Sequence, residues 1–350
     1  MMEGQGKSGR ERRLTAIDLF AGAGGVTEGL KAAGYSVVGA IEIDKDAARS
    51  YSLNHPSIRL QITDIRDVDA EAERIALNLK KGDLTLLKAC PPCQGFSTLG
   101  REDKLDPRND LILEIWRFVR AFFPEAVVLE NVPKIRSDLR LRRVVRQMRA
   151  IGYHVRGFDV DAASFGVPQH RRRHIVIGIR GDSATARFAT MESFLGIREE
   201  VFAGPVLERV EKHVRSDDPL NRWRSSSDIV MERIASIPVG GNRFDLPPDL
   251  VLDCHSRLKN RNATSAYGRI RYNQPAPTMT TRCTTPSCGS FIHPTRDRGL
   301  SLREAASLQT FPMSYRFSGG YDSIERQIGN AVPVALASAI GETVRALVIG

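Results

Sequence analysis

The feature that most restricts this chain is a rhythm. From Thr15 onward, short apolar runs alternate with helix-like stretches: TAIDLF precedes VTEGLKAAG, YSVVGAIEI precedes DKDAARSYSLN, and DLTLLKA leads across a loop to DLILEIWRFVRAFF. AVVLENV, the basic stretch SDLRLRRVVRQMRA, YHVRGFDV and HIVIGIR carry the pattern to Arg180. Short apolar runs separated by helical stretches of about 10–15 residues predict strands joined by crossover helices. The expected fold is therefore α/β, a doubly wound and mostly parallel sheet. Gly34 fits a helix C-terminus and Asp44 a helix N-cap.

After Arg180 the rhythm fails. Scattered Pro, Gly and Ser without a clear period predict a second, smaller, irregular domain, and order returns only at SLREAASLQTFP and RQIGNAVPVALASAIGETVRALVIG. Residues 1–13 read as a disordered polar tail.

Charge sharpens the picture. The formal net charge is +10, yet residues 133–180 alone carry 12 Lys and Arg against 3 acids, and residues 255–298 carry 8 against 1. A clustered excess of cations points to a polyanion footprint; a solvated basic helix face is the alternative. No apolar run reaches the roughly 20 residues of a membrane span, and MMEGQGKSGRERR has no apolar stretch behind its charges, so the cytoplasm is expected. Five cysteines are too few and too scattered for a disulfide framework and are read as thiols.

Four stretches carry chemistry. In DLFAGAGG, directly after a strand, Gly22, Gly24 and Gly25 permit a tight turn and close approach of a ligand to a helix N-terminus. A third dinucleotide-type glycine would fall at Thr27, so that fingerprint is absent, while Glu42 stands where an acid can meet a ribose. KACPPCQGFST places Cys90 and Cys93 at zinc-like spacing without a second pair to complete four ligands, so no metal is expected. Pro91 and Pro92 also argue against a redox dithiol. What remains is a cysteine presented by a loop at a strand's C-terminal end. Glu130 in LENV follows an apolar run, and burial would raise its pKa and make it an acid; an ordinary strand-end carboxylate is the alternative. In QHRRRHIVIG, Gln169, Arg171 and Arg173 alternate and would point one way if the strand begins early, as guanidinium groups suited to phosphate or base oxygens or as a plain basic strand edge.

Taken in order, DLFAGAGG, PPCQGFS, ENV, the Gln-x-Arg-x-Arg of QHRRR, LSLREAASLQTFP and QIGNAVP resemble the cytosine-5 DNA methyltransferase family, of bacterial restriction-modification or orphan type, from Leu14 to about Gly341. The resemblance implies S-adenosylmethionine as methyl donor. Phe20, Gly22, Gly24 and Gly25 would line its pocket, Glu42 would hold the ribose, Ile43 would pack on the adenine, Asp64 would meet the adenine amine and Asn330 would close the site. Asp18, Ile65, Pro91 and Val332 complete the implied cofactor set. Cys93 would be the nucleophile, Glu130 would bind ring nitrogen 3 and the exocyclic amine, Arg173 the base oxygen, and Arg171 nearby backbone or the active-site loop. LGREDKLDPRND would be a mobile loop closing over a flipped-out cytosine. The resemblance further implies a catalytic domain made of residues 14–180 plus 328–350, and a target recognition domain and hinge at 181–327. Double-stranded DNA would be the partner, with a cognate restriction endonuclease as a functional one. The chain would act as a monomer, nucleoid-associated when bound to DNA. Lys88, Ala89 and Cys90 depart from the small residues many relatives carry before the two prolines, and Cys90 is expected to be dispensable.

Overall fold

The computed structural model describes residues 12–92, 106–181, 198–253 and 264–349. Cys93 and residues 99–105 of the expected mobile loop lie outside them, as do residues 1–11 of the tail. Seven strands run β1 (Thr15–Leu19), β2 (Ser36–Glu42), β3 (Arg59–Ile62), β4 (Leu86–Ala89), β5 (Ala126–Asn131), β6 (Tyr153–Asp161) and β7 (Arg172–Arg180). They form one sheet in the order β3-β2-β1-β4-β5-β7-β6. The first five are parallel, and β7 enters antiparallel between β5 and β6. The helices α1 (Gly25–Ala32), α2 (Lys45–Asn54), α4 (Leu111–Phe122) and α5 (Leu139–Ala150) are the crossovers the rhythm predicts, while β3 and the helix α3 (Ala70–Ala76) are additions it does not announce. Asp44 caps α2 by accepting from the N–H groups of Asp46 and Ala47, and Gly34 follows α1 at a φ of 89°.

Alternation along each strand sorts the core into two layers. Ala16, Leu86 and Val128 face Val26 and Leu30 of α1, while Ile17, Leu87 and Val127 face Ile115, Phe118 and Phe122 of α4. α5 turns Leu141, Val144 and Met148 inward and leaves Arg142, Arg143, Arg146 and Arg149 exposed. The first layer is completed from the far end of the chain. Helix α10 (Val334–Ile349; elements α6 to α9 are given below) lays Leu336, Ile340, Val344 and Leu347 on α1 and β1.

Gly29 makes that contact possible. A Cβ there would lie 2.5 Å from the Val334 carbonyl oxygen and 2.7 Å from the Ser338 nitrogen, both backbone atoms that cannot step aside. Gly29→Val is expected to destabilise the protein by about 1–3 kcal/mol or more. Thermal unfolding checks this, and an unchanged melting temperature would mean the two helices are not packed in this way.

The region expected to be irregular contains two ordinary helices, α6 (Ala203–His213) and α7 (Asp228–Ser236). They were hidden because each is short and shows only a turn or two of apolar period. With α8 (Leu302–Leu308) and α9 (Tyr321–Asn330), α6 encloses a second core around Leu207, Leu220, Phe291, Leu302, Phe311 and Ile324. α7 belongs to a smaller cluster with Tyr267 and Ile292. An 18-residue window within Tyr321–Ile349 has the length and composition of a membrane span. The run is, however, two helices separated at Pro333, and 72% of that window is buried within the protein.

Candidate active site

The strand order reverses direction between β1 and β4, and such switch points leave a crevice at the C-terminal ends of parallel strands. Four sequence-predicted segments meet at that edge: the turn after β1, the Pro91–Pro92 segment after β4, the end of β5 and the start of β7. Because β7 is antiparallel to β5, its N-terminal residues lie beside the C-terminal end of β5, which brings Arg173 to Glu130. Arg173 Nε stands 2.9 Å from Glu130 Oε1. Asn131, one residue on, donates from Nδ2 to the Pro91 carbonyl at 3.1 Å and so ties β5 to the segment leading into Cys93. Nothing within the ENV triplet itself announces that role.

Glu130 departs from expectation in its charge. It is 5% exposed, and burial does oppose ionisation. Arg173, Lys88 and Arg171 nevertheless outweigh burial, and a hydrogen bond from Cys90 assists, so the carboxyl sits below its ordinary pKa rather than above it. The raised pKa argued from burial alone is therefore corrected: the neighbours are cations.

Beneath Glu130 lies a buried polar chain. Cys90 Sγ donates to Glu130 Oε2 at 2.7 Å, and the Lys88 ammonium donates to the same sulfur. Lys88 is 3% exposed and pairs in register with Asp18 of β1, which accepts from Thr27 Oγ1 at 3.0 Å. Burial and the Glu130 charge push the Cys90 thiol well above its ordinary value, so it stays protonated at neutral pH. Asp18 is fully buried in this chain.

Gln169, Arg171 and Arg173 do alternate inward, with His170 and Arg172 exposed between them. Their tasks differ. Gln169 is fully buried, donates to the Leu308 carbonyl at 3.0 Å and accepts from the Met279 N–H at 2.9 Å. Arg171 is buried and donates to the carbonyls of Met279 (2.8 Å) and Gly329 (3.2 Å), fastening the sheet to the segments around residues 280 and 330. Its guanidinium is engaged with protein backbone.

The cofactor candidates separate in the same way. Gly22, at a φ of 55°, has open space where a Cβ would be. A Cβ on Gly24 would lie 2.6 Å from the Tyr315 hydroxyl, and one on Gly25 2.8 Å from the Val332 carbonyl. Gly24 and Gly25 thus admit neighbouring protein, while Gly22 borders open space. Phe20 takes a φ of 60° beside that opening. Glu42 accepts from the Gly22 and Asp44 N–H groups, each at 2.7 Å, and its partly buried carboxyl has a raised pKa owing to burial. Each of its oxygens retains a lone pair for a hydroxyl donor. Ile43 is 61% exposed, an apolar face at the strand end. Asp64 is held by the Arg66 side chain at 2.6 Å, which lowers its pKa. The Ile65 and Val332 side chains are in the core, so only their backbone can face a ligand. Pro91 is buried, and Asn330 is exposed at the end of α9. An open glycine turn at a helix N-terminus, an acid at the next strand end and a free apolar face fit a nucleoside-bearing cofactor.

Among the described residues, Glu211, His293 and Glu304 form a group that could ligate a metal. Arg298 already holds Glu304 through two bonds of 2.7 and 2.8 Å, and Arg296 holds Glu211 at 3.1 Å, so the cluster is an ion network.

The chain matches known proteins over nearly its whole length. The family model for C-5 cytosine-specific DNA methylase matches residues 14–346. Type II methylase M.HgiDII of Herpetosiphon aurantiacus is 32% identical over 95% of this chain and 96% of its own. Type II methyltransferase M1.HphI of Haemophilus parahaemolyticus is 30% identical over 95% of this chain and 86% of its own. A crystal structure described as a DNA modification methyltransferase encoded within an E. coli prophage superposes with a TM-score of 0.68 at 25% identity, covering 96% of this chain and all of that one. The S. pombe Dnmt2 methyltransferase shares the fold, with a TM-score of 0.61 at 21% identity over 95% of this chain and 99% of that one.

Proposed function

The chain belongs to the C-5 cytosine-specific DNA methylase family and is a DNA cytosine-5-methyltransferase using S-adenosylmethionine, and from that premise we propose how its residues perform the reaction. The target cytosine is flipped out of the duplex, since carbon 6 cannot be reached within the stack. Residues 14–180 plus 328–350 act as the catalytic domain, and 181–327 as the target recognition domain that selects a specific sequence.

When bound, S-adenosylmethionine supplies a sulfonium methyl group, an electrophile that carbon 5 of cytosine is too electron-poor to attack unaided. Phe20, Gly22, Glu42, Ile43, Asp64 and Asn330 hold that cofactor, with the backbone of Ile65 and Val332 beside them. The Cys93 thiolate adds to carbon 6, Glu130 gives a proton to ring nitrogen 3 and receives the exocyclic amine, and carbon 5 becomes enamine-like and nucleophilic. Arg173 exchanges its pairing with Glu130 for the oxygen at carbon 2. After transfer, a water removes the proton from carbon 5 and the Cys93–carbon 6 bond breaks. Asn131 and Arg171 keep the frame: one anchors the segment bearing Cys93, the other joins the two bodies that flank the crevice.

The observation that carries this reading is the meeting of Glu130, Arg173 and the Pro91–Pro92 segment at the same sheet edge as the open Gly22 turn and Glu42. The test is transfer of a labelled methyl group from S-adenosylmethionine to unmethylated genomic DNA, with tRNA in a parallel tube. Label recovered as 5-methylcytosine at sites sharing one sequence is the expected result. Label only in tRNA would overturn the substrate, and label scattered over unrelated cytosines would remove the recognition role of 181–327. We further propose that the enzyme acts as a monomer and protects sites cut by a cognate restriction endonuclease.

A further inference from the structure

Glu130 faces a difficulty of its own making. As the donor to ring nitrogen 3 it must carry a proton, yet its surroundings hold it as a carboxylate. The groups facing it are Arg173 of β7 and Arg171 just before it, Lys88 of β4 and Cys90 just after it, with Asp18 of β1 beside Lys88. Solvent is a poor source for that proton, because the carboxyl is buried and its Oε2 is covered by the Cys90 thiol. Two of these groups can release a proton, as the guanidinium groups cannot, and they stand in line: the Lys88 ammonium donates to Cys90 Sγ, and Cys90 Sγ donates to Glu130 Oε2.

We propose that Lys88 and Cys90 form a buried proton relay that charges Glu130 when the target base arrives and discharges it when the base leaves. This rests on the reading of Glu130 as the donor to ring nitrogen 3. In the forward step the Cys90 S–H bond breaks as the Glu130 O–H bond forms, and a Lys88 N–H bond breaks as the Cys90 S–H bond is restored. Lys88 ends as a neutral amine and Glu130 as a neutral acid; no electrons leave the system. The summed charge of Asp18, Lys88, Glu130 and Arg173 is the same before and after, so the buried site takes up no net charge. Neutralising Glu130 also loosens its pairing with Arg173, which releases that guanidinium toward the base oxygen. On breakdown of the adduct the protons return by the same path. Lys88 and Cys90 thus act through Glu130 as positioning residues for its proton, without touching the base.

The relay makes Cys90 matter for its S–H and not for nucleophilicity. In Cys90→Ala the charges remain but the link is cut. The expected outcome is a kcat lower by about 10²-fold, within the usual range for general acid catalysis, with the KM for DNA and cofactor affinity unchanged. Because Glu130 must then draw its proton from solvent, kcat should fall as pH rises from about 6 to 8, whereas the intact enzyme should be flat there. Cys90→Ser keeps an O–H in the same place and should restore both the rate and the flat profile. Lys88→Arg, which keeps the charge but cannot release a proton, should resemble Cys90→Ala; melting curves check that each variant is folded. A Cys90→Ala enzyme with undiminished kcat and an unchanged pH profile would overturn the relay, as would a folded Cys90→Ser enzyme no better than Cys90→Ala. Glu130→Gln separates the two levels: its inactivity is expected in either case, and its activity would overturn the role of Glu130 itself.

Discussion

Replacing Cys93 with serine is expected to abolish turnover, lowering kcat by on the order of 10⁴-fold or more while cofactor and DNA binding persist. A hydroxyl is far harder to ionise than a thiol, so serine cannot open the attack on carbon 6. Neither Cys90 nor Cys283 can take its place. Cys90 is kept protonated by burial and by the neighbouring Glu130 charge, and Cys283 is buried. Single-turnover transfer to DNA, run beside Cys90→Ser, gives the comparison: substantial turnover by Cys93→Ser, or equal loss from both variants, would return the two cysteines to the status of a functional pair. The expectation that Cys90 is dispensable is narrowed by its bond to Glu130. Serine should be tolerated there, and alanine should not.

The second large effect is expected at Arg171, and it is on stability. Arg171→Ala would leave the carbonyls of Met279 and Gly329 without the guanidinium that joins them, in a place where water does not reach. Each buried group that loses its partner costs about 1–3 kcal/mol, so a loss on the order of 3 kcal/mol is expected. Arg171→Lys should recover only part of it, because one ammonium does not reproduce the two directions of a guanidinium. Chemical denaturation measures the loss, and kcat per folded molecule measures what remains of the chemistry. An undiminished midpoint with a collapsed kcat would instead make Arg171 a catalytic residue in the direct sense.

These two residues also show what can be read from sequence. The alternation of Gln169, Arg171 and Arg173 was visible because strand periodicity extends to the residues just before β7, and the sheet with its crossovers was visible because both of its faces are covered. Which of the three side chains reaches the crevice was not visible. That depends on the segments near residues 280 and 330, separated from Arg171 by more than a hundred positions. The sign of the Glu130 shift was hidden for a similar reason, since local sequence reveals burial but not the three cations that other strands bring. The glycines divide likewise. Gly22, Gly24 and Gly25 look equivalent in the string, and only packing separates the one that borders open space from the two that admit Tyr315 and Val332. Helices α6 and α7 are hard to read because each packs its apolar face against residues far away in the chain, α6 on the core with α8 and α9 and α7 on the cluster around Tyr267 and Ile292.

The packing of α10 on α1 bears on the order of events during synthesis. The glycine turn and first helix emerge from the ribosome early, but the residues that cover them, from Val332 to Leu347, follow only after residues 181–327 have been made. Contacts spanning some three hundred residues close slowly, because the intervening chain must be ordered first. A nascent chain therefore exposes the apolar side of α1 until translation passes residue 347, and a product truncated before α10 keeps that surface bare. The arrangement ties the glycine turn to the far end of the chain: a fragment carrying Cys93 but ending before Val334 lacks the helix that covers α1.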